Sequence, residues 1–264
     1  MKSLSVSRLS LALLLMMQAT ACISVTNTLT ADTLGEGNTQ FAVAPSYVIA
    51  TGEAGESGAL GGVQAQVLHG TSDTMDVGGR LSYQRFLGSG DSVDDFSFNG
   101  FGAEFLSRIQ LSRSEKLNLA VAPSLGFSRV AFSGEGGGDG INAIQAKVPL
   151  LIGVPVGEHQ FVGSLALSDA FFFGEGDSSN TINAGATVGF AARVPGTGVR
   201  IMPEVGVFYP VVGGDFNDGA EFNDSGTFYL QFAVGVMFGG GDGDRDDEEE
   251  AIRESLLESG DDDE

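Results

Sequence analysis

The stretch FYLQFAVGVMFGGGDGDRDDEEE, Phe228–Glu250, joins two kinds of sequence that rarely adjoin. Its first half alternates apolar residues with smaller or polar ones at a period of two and stops on Phe238, which is the pattern of a β-strand. Its second half is glycine followed by acidic residues, and such acidic blocks stay in water. A strand with one continuous apolar face therefore adjoins a strongly solvated segment.

Nine further segments show the same alternation, and no window among them sustains a helical period. The ten segments are Gln40–Ala50, Leu60–His69, Met75–Leu87, Phe98–Leu111, Leu117–Phe132, Ile141–Val156, Gln160–Phe173, Ile182–Val194, Gly198–Val212 and Thr227–Phe238. Most exceed the about 5–6 residues of an ordinary strand. They reach the roughly 9–11 residues that a tilted strand needs to cross a bilayer.

The connections between these segments alternate in length. Four are short, and we call the rim that they form the tight-turn rim: Gly70–Thr74, Ser112–Lys116, Gly157–His159 and Pro195–Thr197. The other five are longer and rich in Gly, Asp, Ser and Glu, and they form the loop rim. This alternation predicts an up-and-down antiparallel meander, and an even strand number returns both ends to the tight-turn rim.

The composition of the two strand faces predicts the environment. In Leu117–Phe127 one face is Leu, Val, Pro and Phe, and the other is Asn, Ala, Ser and Gly with no charge. A soluble sheet would carry many charges on its second face. Apolar faces against lipid and small polar faces around a narrow lumen fit better. We therefore expect an all-β, up-and-down antiparallel transmembrane β-barrel of about ten strands, and the alternative is a soluble periplasmic β-sandwich lipoprotein with a binding role.

Six of the seven prolines lie inside the predicted strands, where a missing backbone donor is unfavourable. Pro45, Pro123 and Pro203 recur at one level of outward faces, about four strands apart, and we interpret them as β-bulges.

The first 21 residues have the features of a signal peptide. Lys2 and Arg8 form a basic region before the apolar run Leu9–Met17, which is too short to span a bilayer. Cys22 is the only cysteine and follows Ala19-Thr20-Ala21, so it stands at the first position after a cleavage site. This arrangement resembles the lipobox of bacterial lipoproteins, which implies lipidation of Cys22; the alternative is an ordinary cleavage site with an unmodified cysteine.

Residues 40–238 resemble the small bacterial outer-membrane β-barrels. The resemblance is carried by the strand meander, by the turn-to-strand pattern of Gly70–Leu81 and by the final strand that ends on Phe238. It implies integral insertion in the outer membrane, short periplasmic turns, longer extracellular loops and periplasmic termini. It also implies contact with outer-membrane lipid and with the barrel assembly machinery, for which Phe238 would be the assembly signal.

These features divide the chain into four parts. We expect a signal peptide at 1–21, a periplasmic tether at 22–39, the barrel at 40–238 and an acidic, disordered or partly helical tail at 239–264. Residues 240–264 hold 13 acidic and 2 basic residues, half of the formal net charge of −22. A periplasmic partner could dock on such a tail, and the acidic balance argues against nucleic acid.

Few charged residues fall on the predicted lumen faces. They are Arg80, Glu104, Arg108, Lys147, Arg193, Arg200 and Glu204. One interpretation is an arginine-lined constriction that favours anions. The other is a salt-bridge network that fills the lumen of a barrel only slightly larger than the eight-stranded size, and we favour this second interpretation. The predicted function is accordingly structural, surface interaction or narrow passage of solutes.

Residues that could carry catalysis are sparse. His69 and His159 are the only histidines, and both fall at short turns. Metal sites need clustered His or Cys, so no metal site is expected. We predict no catalytic residues, no cofactor and no enzymatic activity.

Overall fold

The computed structural model describes residues 27–51, 58–86, 97–133, 140–174, 178–215, 219–222 and 228–240. Its strands are β1 Thr39–Thr51, β2 Gly58–Ser72, β3 Met75–Phe86, β4 Ser97–Ser112, β5 Asn118–Val121, β6 Ser124–Ser133, β7 Gly140–Val156, β8 His159–Phe173, β9 Ser178–Arg193, β10 Val199–Asp215, β11 Gly219–Phe222 and β12 Phe228–Gly239. The described part of the chain contains no helix that is long and apolar enough to cross a membrane.

The strands form one closed antiparallel sheet. Apart from β5, β6 and β11, each strand pairs with its neighbours along the chain, and β12 closes the ring by pairing with both β10 and β1. β5 and β6 occupy one position in the wall, since both pair with β4 and β7, and β11 pairs only with β10 as a hairpin extension. The wall therefore has ten positions, and the predicted ten-stranded up-and-down barrel is confirmed. The β-sandwich alternative is wrong, because a single closed sheet leaves no second sheet to pack against.

The prolines perturb the wall less than expected. The register on both sides of Pro45 and Pro203 is unshifted, so the predicted bulges at these two positions are wrong. A proline on a strand can forgo one ladder hydrogen bond without adding a residue. Pro123 instead separates β5 from β6, and a register shift follows Pro210.

The period-two alternation resolves into two faces as predicted. The outward face carries large apolar side chains that are one-third to two-thirds exposed all round the wall, among them Phe41, Leu81, Phe105, Leu125, Val148, Leu167, Val188, Val205 and Phe232. The inward face is more varied than predicted. Besides Gln, Asn, Ser and Thr, it carries buried apolar residues, among them Leu68, Leu106, Leu151, Met202 and Met237.

Both ends of the barrel lie at the tight-turn rim, where Gln40 is aligned with Gly239. The segment before β1 departs from the expected tether. Residues 27–31, Thr33 and Gly35 are buried, and the hydrogen bonds of Asn27–Leu34 go to side chains and carbonyls of the barrel. The described part of this segment therefore lies inside the lumen. The predicted signal peptide, the predicted lipidation site Cys22 and the part of the predicted tail beyond Gly240 fall outside the described residues.

Candidate functional site

The lumen is occupied by Asn27–Leu34, which we call the luminal segment. It has no strand pairing of its own, yet its backbone and side chains are hydrogen-bonded to many strands of the wall. Because a buried peptide group that lacks a partner costs several kcal/mol, these bonds are what allow an irregular segment to be enclosed. The site is therefore built from inward-facing residues around a polypeptide.

The deepest described residue, Asn27, lies between opposite charges on distant parts of the wall. Arg80 Nη2 donates to the Asn27 carbonyl at 3.0 Å, and the Asn27 backbone N–H donates to Glu204 Oε1 at 3.1 Å. Arg80 is on β3 and Glu204 on β10, with three wall strands between them on one side. The Asn27 side-chain amide donates to the Ser164 and Thr187 hydroxyls. Four wall residues thus fix one residue of the segment.

Arg80 is held in turn by its neighbours in the wall. Nη1 forms a salt bridge with Glu104 Oε2 at 3.0 Å, and Nε and Nη2 donate to Gln66 Oε1 at 3.2 and 2.9 Å. The two charged side chains are 2% and 8% exposed. A buried guanidinium requires such partners because desolvation of an unpaired charge is costly. Lys147, also buried, interacts electrostatically with Glu104 and Glu204.

A second buried ion pair lies closer to the tight-turn rim. Arg108 Nη2 and Asp76 Oδ2 are 2.6 Å apart, and neither side chain is exposed. Arg108 Nη1 donates at 3.0 Å to both the carbonyl and the hydroxyl of Thr30, and the backbone N–H of Leu34 donates to Asp76 at 3.0 Å. This pair therefore also binds the luminal segment.

Apolar contacts fill the half of the lumen that is nearer to the tight-turn rim. Leu29 and Ala31 belong to one buried cluster with inward residues of the wall, which are Leu68, Leu106, Ala120, Ala122 and Leu151. Two glycines leave room for the segment. A Cβ at Gly235 would lie 2.8 Å from Thr28 Cγ2, and one at Gly153 would lie 2.8 Å from the Ala31 Cβ.

Thr28 adopts a backbone conformation that a β-branched residue avoids. Its φ is +39°, in the left-handed region, where a non-glycine residue costs on the order of 1–3 kcal/mol. Gln64 donates to the Thr28 hydroxyl at 3.0 Å and Gln66 donates to its carbonyl at 3.2 Å. These two contacts with the wall therefore hold Thr28 in its left-handed conformation.

The segment leaves the lumen through a polar mouth at the tight-turn rim. Gln110 accepts from the Thr33 N–H at 3.0 Å, Arg113 donates to the Thr33 carbonyl at 3.0 Å, and Arg113 and Asp32 form a partly exposed pair at 3.6 Å. A cavity of about 280 Å³ lies beside the segment here, and Arg200 contributes to its lining. Arg193 is aligned with Arg200 at the same rim.

The predicted lumen residues thus fall into two groups. Five of them are deep and lie around the luminal segment: Arg80, Glu104, Arg108, Lys147 and Glu204. Arg193 and Arg200 instead lie at the mouth. Phe238 lies on the outward face of β12 and is 45% exposed.

Several residues of the site were missed by sequence reasoning. Asp76 is two and four positions from Gly78 and Arg80, so the period of two could have placed it on the inward face. The inward glutamines Gln64, Gln66 and Gln160 follow the same period. The luminal segment gave only a weak signal, the alternation Thr28-Leu29-Thr30-Ala31, and the four threonines of residues 22–34 resemble a linker.

Known proteins offer a general likeness only. No family model matches the chain, and no curated protein matches it significantly. Among solved structures, the translocator domain of the autotransporter NalP from Neisseria meningitidis has a TM-score of 0.49 at 13% identity, covering 88% of this chain and 97% of that one. An outer membrane channel from Pseudomonas putida gives 0.41 at 12% identity (81% and 100%), and Ail of Yersinia pestis gives 0.35 at 12% identity (77% and 99%).

Proposed function

We propose that the protein is an integral β-barrel of the bacterial outer membrane whose lumen is closed by its own amino-terminal segment. Its role is then structural or surface-interacting, with the loops as the interaction surface, and it is not a constitutively open pore. The observation that carries the proposal is the position of Asn27, whose peptide groups bind Arg80 and Glu204 from distant parts of the wall.

Membrane insertion is supported by the outward face. Apolar side chains such as Leu81, Leu125 and Leu167, which are 66%, 58% and 63% exposed, are spread over different strands rather than gathered in one patch. A soluble monomer rarely exposes apolar patches above a few hundred Å². A closed barrel satisfies its backbone hydrogen bonds within the sheet, as a hydrocarbon environment requires.

The bonding of the buried charged residues supports the proposal that the lumen is closed. In an open pore, cationic and anionic side chains would attract permeating ions. Here Arg80, Arg108 and Glu204 bind the peptide groups of the luminal segment. Leu29 and Ala31 fill the apolar half of the lumen nearer to the tight-turn rim. A solute would have to displace these contacts in order to pass.

Conductance in planar bilayers tests this function. We expect the full chain to show no single-channel steps, and we expect steps once residues 27–34 are replaced by alternating Gly and Ser. The matched control replaces the equally long stretch 241–248, in the acidic tail, with the same residues and should remain closed. Steady open-channel conductance of the full chain, equal to that of the 27–34 variant, would contradict the proposal.

A further inference from the structure

The cavity at the tight-turn rim is built from both the luminal segment and the wall. Asp32 and Thr33 line it from the segment, and Gln40, Arg113 and Arg200 line it from the barrel. Arg113 is exposed, so the cavity is reached from the solution at this rim. Pockets for drug-sized ligands have volumes of about 300–1,000 Å³, so a cavity of about 280 Å³ suits a smaller molecule.

Positive charge exceeds negative charge at this cavity. Arg200 is aligned with Arg193 on the neighbouring strand, and like charges in such a pair repel each other. Arg113 has five N–H donors, and it uses them for one hydrogen bond to the Thr33 carbonyl at 3.0 Å and a 3.6 Å contact with Asp32. Asp32 is the only acidic residue among the described residues that line the cavity. This side of the cavity therefore favours an anionic group.

The same cavity also presents two acceptor oxygens that receive no hydrogen bond from the described residues. They are Gln40 Oε1, on a residue that is 3% exposed, and Asp32 Oδ1. The other carboxylate oxygen of Asp32 accepts from Gln160 Nε2 at 2.6 Å, which holds the carboxylate in place. Buried polar atoms in proteins almost always have a hydrogen-bond partner. An ammonium group carries three donors and no acceptor, so it matches these two oxygens.

We propose that this cavity binds a small zwitterion of the amino-acid or short-peptide class. Its carboxylate meets Arg113 and Arg200, and its ammonium group meets Gln40 and Asp32. The 3.6 Å separation of Arg113 and Asp32 is longer than a direct hydrogen bond, so both can bind the ligand without losing a strong contact. Because the ligand touches the segment and the wall together, its binding stabilises the docked, closed state. The inference rests on the proposed function, since Asp32 lines the cavity only while the luminal segment is docked.

Calorimetric titration of the full chain in lipid nanodiscs tests the inference. The probes are L-alanine and L-alanyl-L-alanine, which carry both charges, N-acetyl-L-alanine, which keeps only the carboxylate, and L-alaninamide, which keeps only the ammonium group. We expect at least one zwitterion to bind, and both singly charged probes to bind at least about tenfold more weakly, because each loses charge-assisted hydrogen bonds. Absence of binding by both zwitterions, or equal binding of a zwitterion and N-acetyl-L-alanine, overturns the inference.

Three variants locate the binding. Arg200→Gln should weaken binding of the zwitterion at least about tenfold, because the carboxylate loses a cationic partner. Gln40→Met should weaken the zwitterion but leave N-acetyl-L-alanine unchanged, because only the ammonium group uses that oxygen. The control Lys116→Gln removes an exposed cation from the turn that also holds Arg113, and Lys116 does not line the cavity. Equal effects of Lys116→Gln and Arg200→Gln would assign the binding to overall charge and overturn the site.

The pair Thr28→Cys and Gly235→Cys, introduced into the same full chain, reports whether the luminal segment is docked, since a Cβ at Gly235 lies 3.3 Å from that of Thr28. A chain that forms this disulfide but binds neither zwitterion overturns the inference and leaves lumen closure intact. A chain that forms no disulfide and binds neither zwitterion overturns both.

Discussion

At the scale of single residues, two charged side chains on distant parts of the wall both bind the backbone of Asn27, which lies between them. Arg80 and Glu204 bind the carbonyl and the N–H of Asn27, and Arg80 is also paired with Glu104. Removing one partner of a buried pair leaves the other charge desolvated, whereas a solvent-exposed pair contributes little. The buried and the exposed arginines of the lumen should therefore differ sharply.

Substitution Arg80→Met tests this difference. We expect the free energy of unfolding, measured by urea titration in lipid vesicles, to fall by about 3–5 kcal/mol, because Glu104 loses its ion-pair partner and stays buried. The control Arg113→Met removes a pair whose side chains are 44% and 27% exposed and one partly exposed hydrogen bond to the Thr33 carbonyl, and it should cost about 1–2 kcal/mol. The double variant Arg80→Met, Glu104→Gln should recover part of the loss; equal effects of the two single variants would contradict this account.

Sequence reasoning reached the orientation of these residues but not their partners. The period of two placed Arg80, Arg108 and Glu204 on the inward face because a strand has only two faces. It could not show that Arg108 meets Thr30, since that contact joins a strand to a segment that alternates only over Thr28–Ala31 and pairs with no strand. Which side chains meet inside the lumen depends on which residues of different strands lie at the same height in the closed barrel, and the sequence of one strand does not determine this.

At the scale of elements, the luminal segment and the wall are fitted to each other by the small size of the facing residues. Gly235 faces inward, and a Cβ there would lie 2.8 Å from Thr28 Cγ2 and 3.3 Å from its Cβ. Gly163 is in β8, and a Cβ there would find nothing closer than 4.0 Å. These two glycines form a matched pair for testing the fit.

Gly235→Val should displace the luminal segment and produce single-channel steps in planar bilayers. The added side chain would clash with Thr28, and Thr28 cannot move aside without losing the hydrogen bonds that its hydroxyl and carbonyl accept from Gln64 and Gln66. Gly163→Val should leave the barrel closed. The prediction fails if both variants stay closed while circular dichroism shows both to be folded.

Phe238 can be compared with another phenylalanine of the same strand. Phe232 and Phe238 both face outward on β12 and are 43% and 45% exposed. If Phe238 is an assembly signal, Phe238→Ser should lower the yield of membrane-inserted protein in cells with little change in stability after refolding into vesicles. Phe232→Ser, further from the end of the strand, should mainly lower stability. Identical cellular yields for the two variants would remove the reason to assign a signal to Phe238.

The elements of the wall were predictable, and the luminal segment was not. Apolar alternation and turn composition fixed ten strand segments close to their observed bounds, because strand pairing follows locally from short connections. Residues 27–34 alternate only over Thr28–Ala31, which is too short to predict a strand, and their burial depends on bonds to side chains from β2, β3, β4, β8 and β10. A linker-like composition therefore conceals a buried segment.

At the scale of the whole molecule, pairing of β1 with β12 closes the wall around the segment. Ten residue pairs from Gln40–Gly239 to Thr51–Phe228 join the two ends of the barrel. Closure removes the free edges of the ten-position wall, so no strand of the wall can be peeled away without breaking two ladders of hydrogen bonds. The chain should therefore migrate faster in denaturing gels before boiling than after it, and identical migration under both conditions would argue against a closed barrel.

The central claim is that the luminal segment occupies the lumen of this closed barrel, and disulfide formation in isolated outer membranes tests it most directly. In the variant Thr28→Cys, Gly235→Cys the two Cβ atoms are about as close as a disulfide requires, since a Cβ at Gly235 lies 3.3 Å from that of Thr28. The control pair Thr28→Cys, Val234→Cys uses the adjacent, outward-facing position, which is 45% exposed. We predict an oxidised, faster-migrating species for the Gly235 pair and none for the Val234 pair; no cross-link in the Gly235 pair, or equal cross-linking in both, would contradict the account.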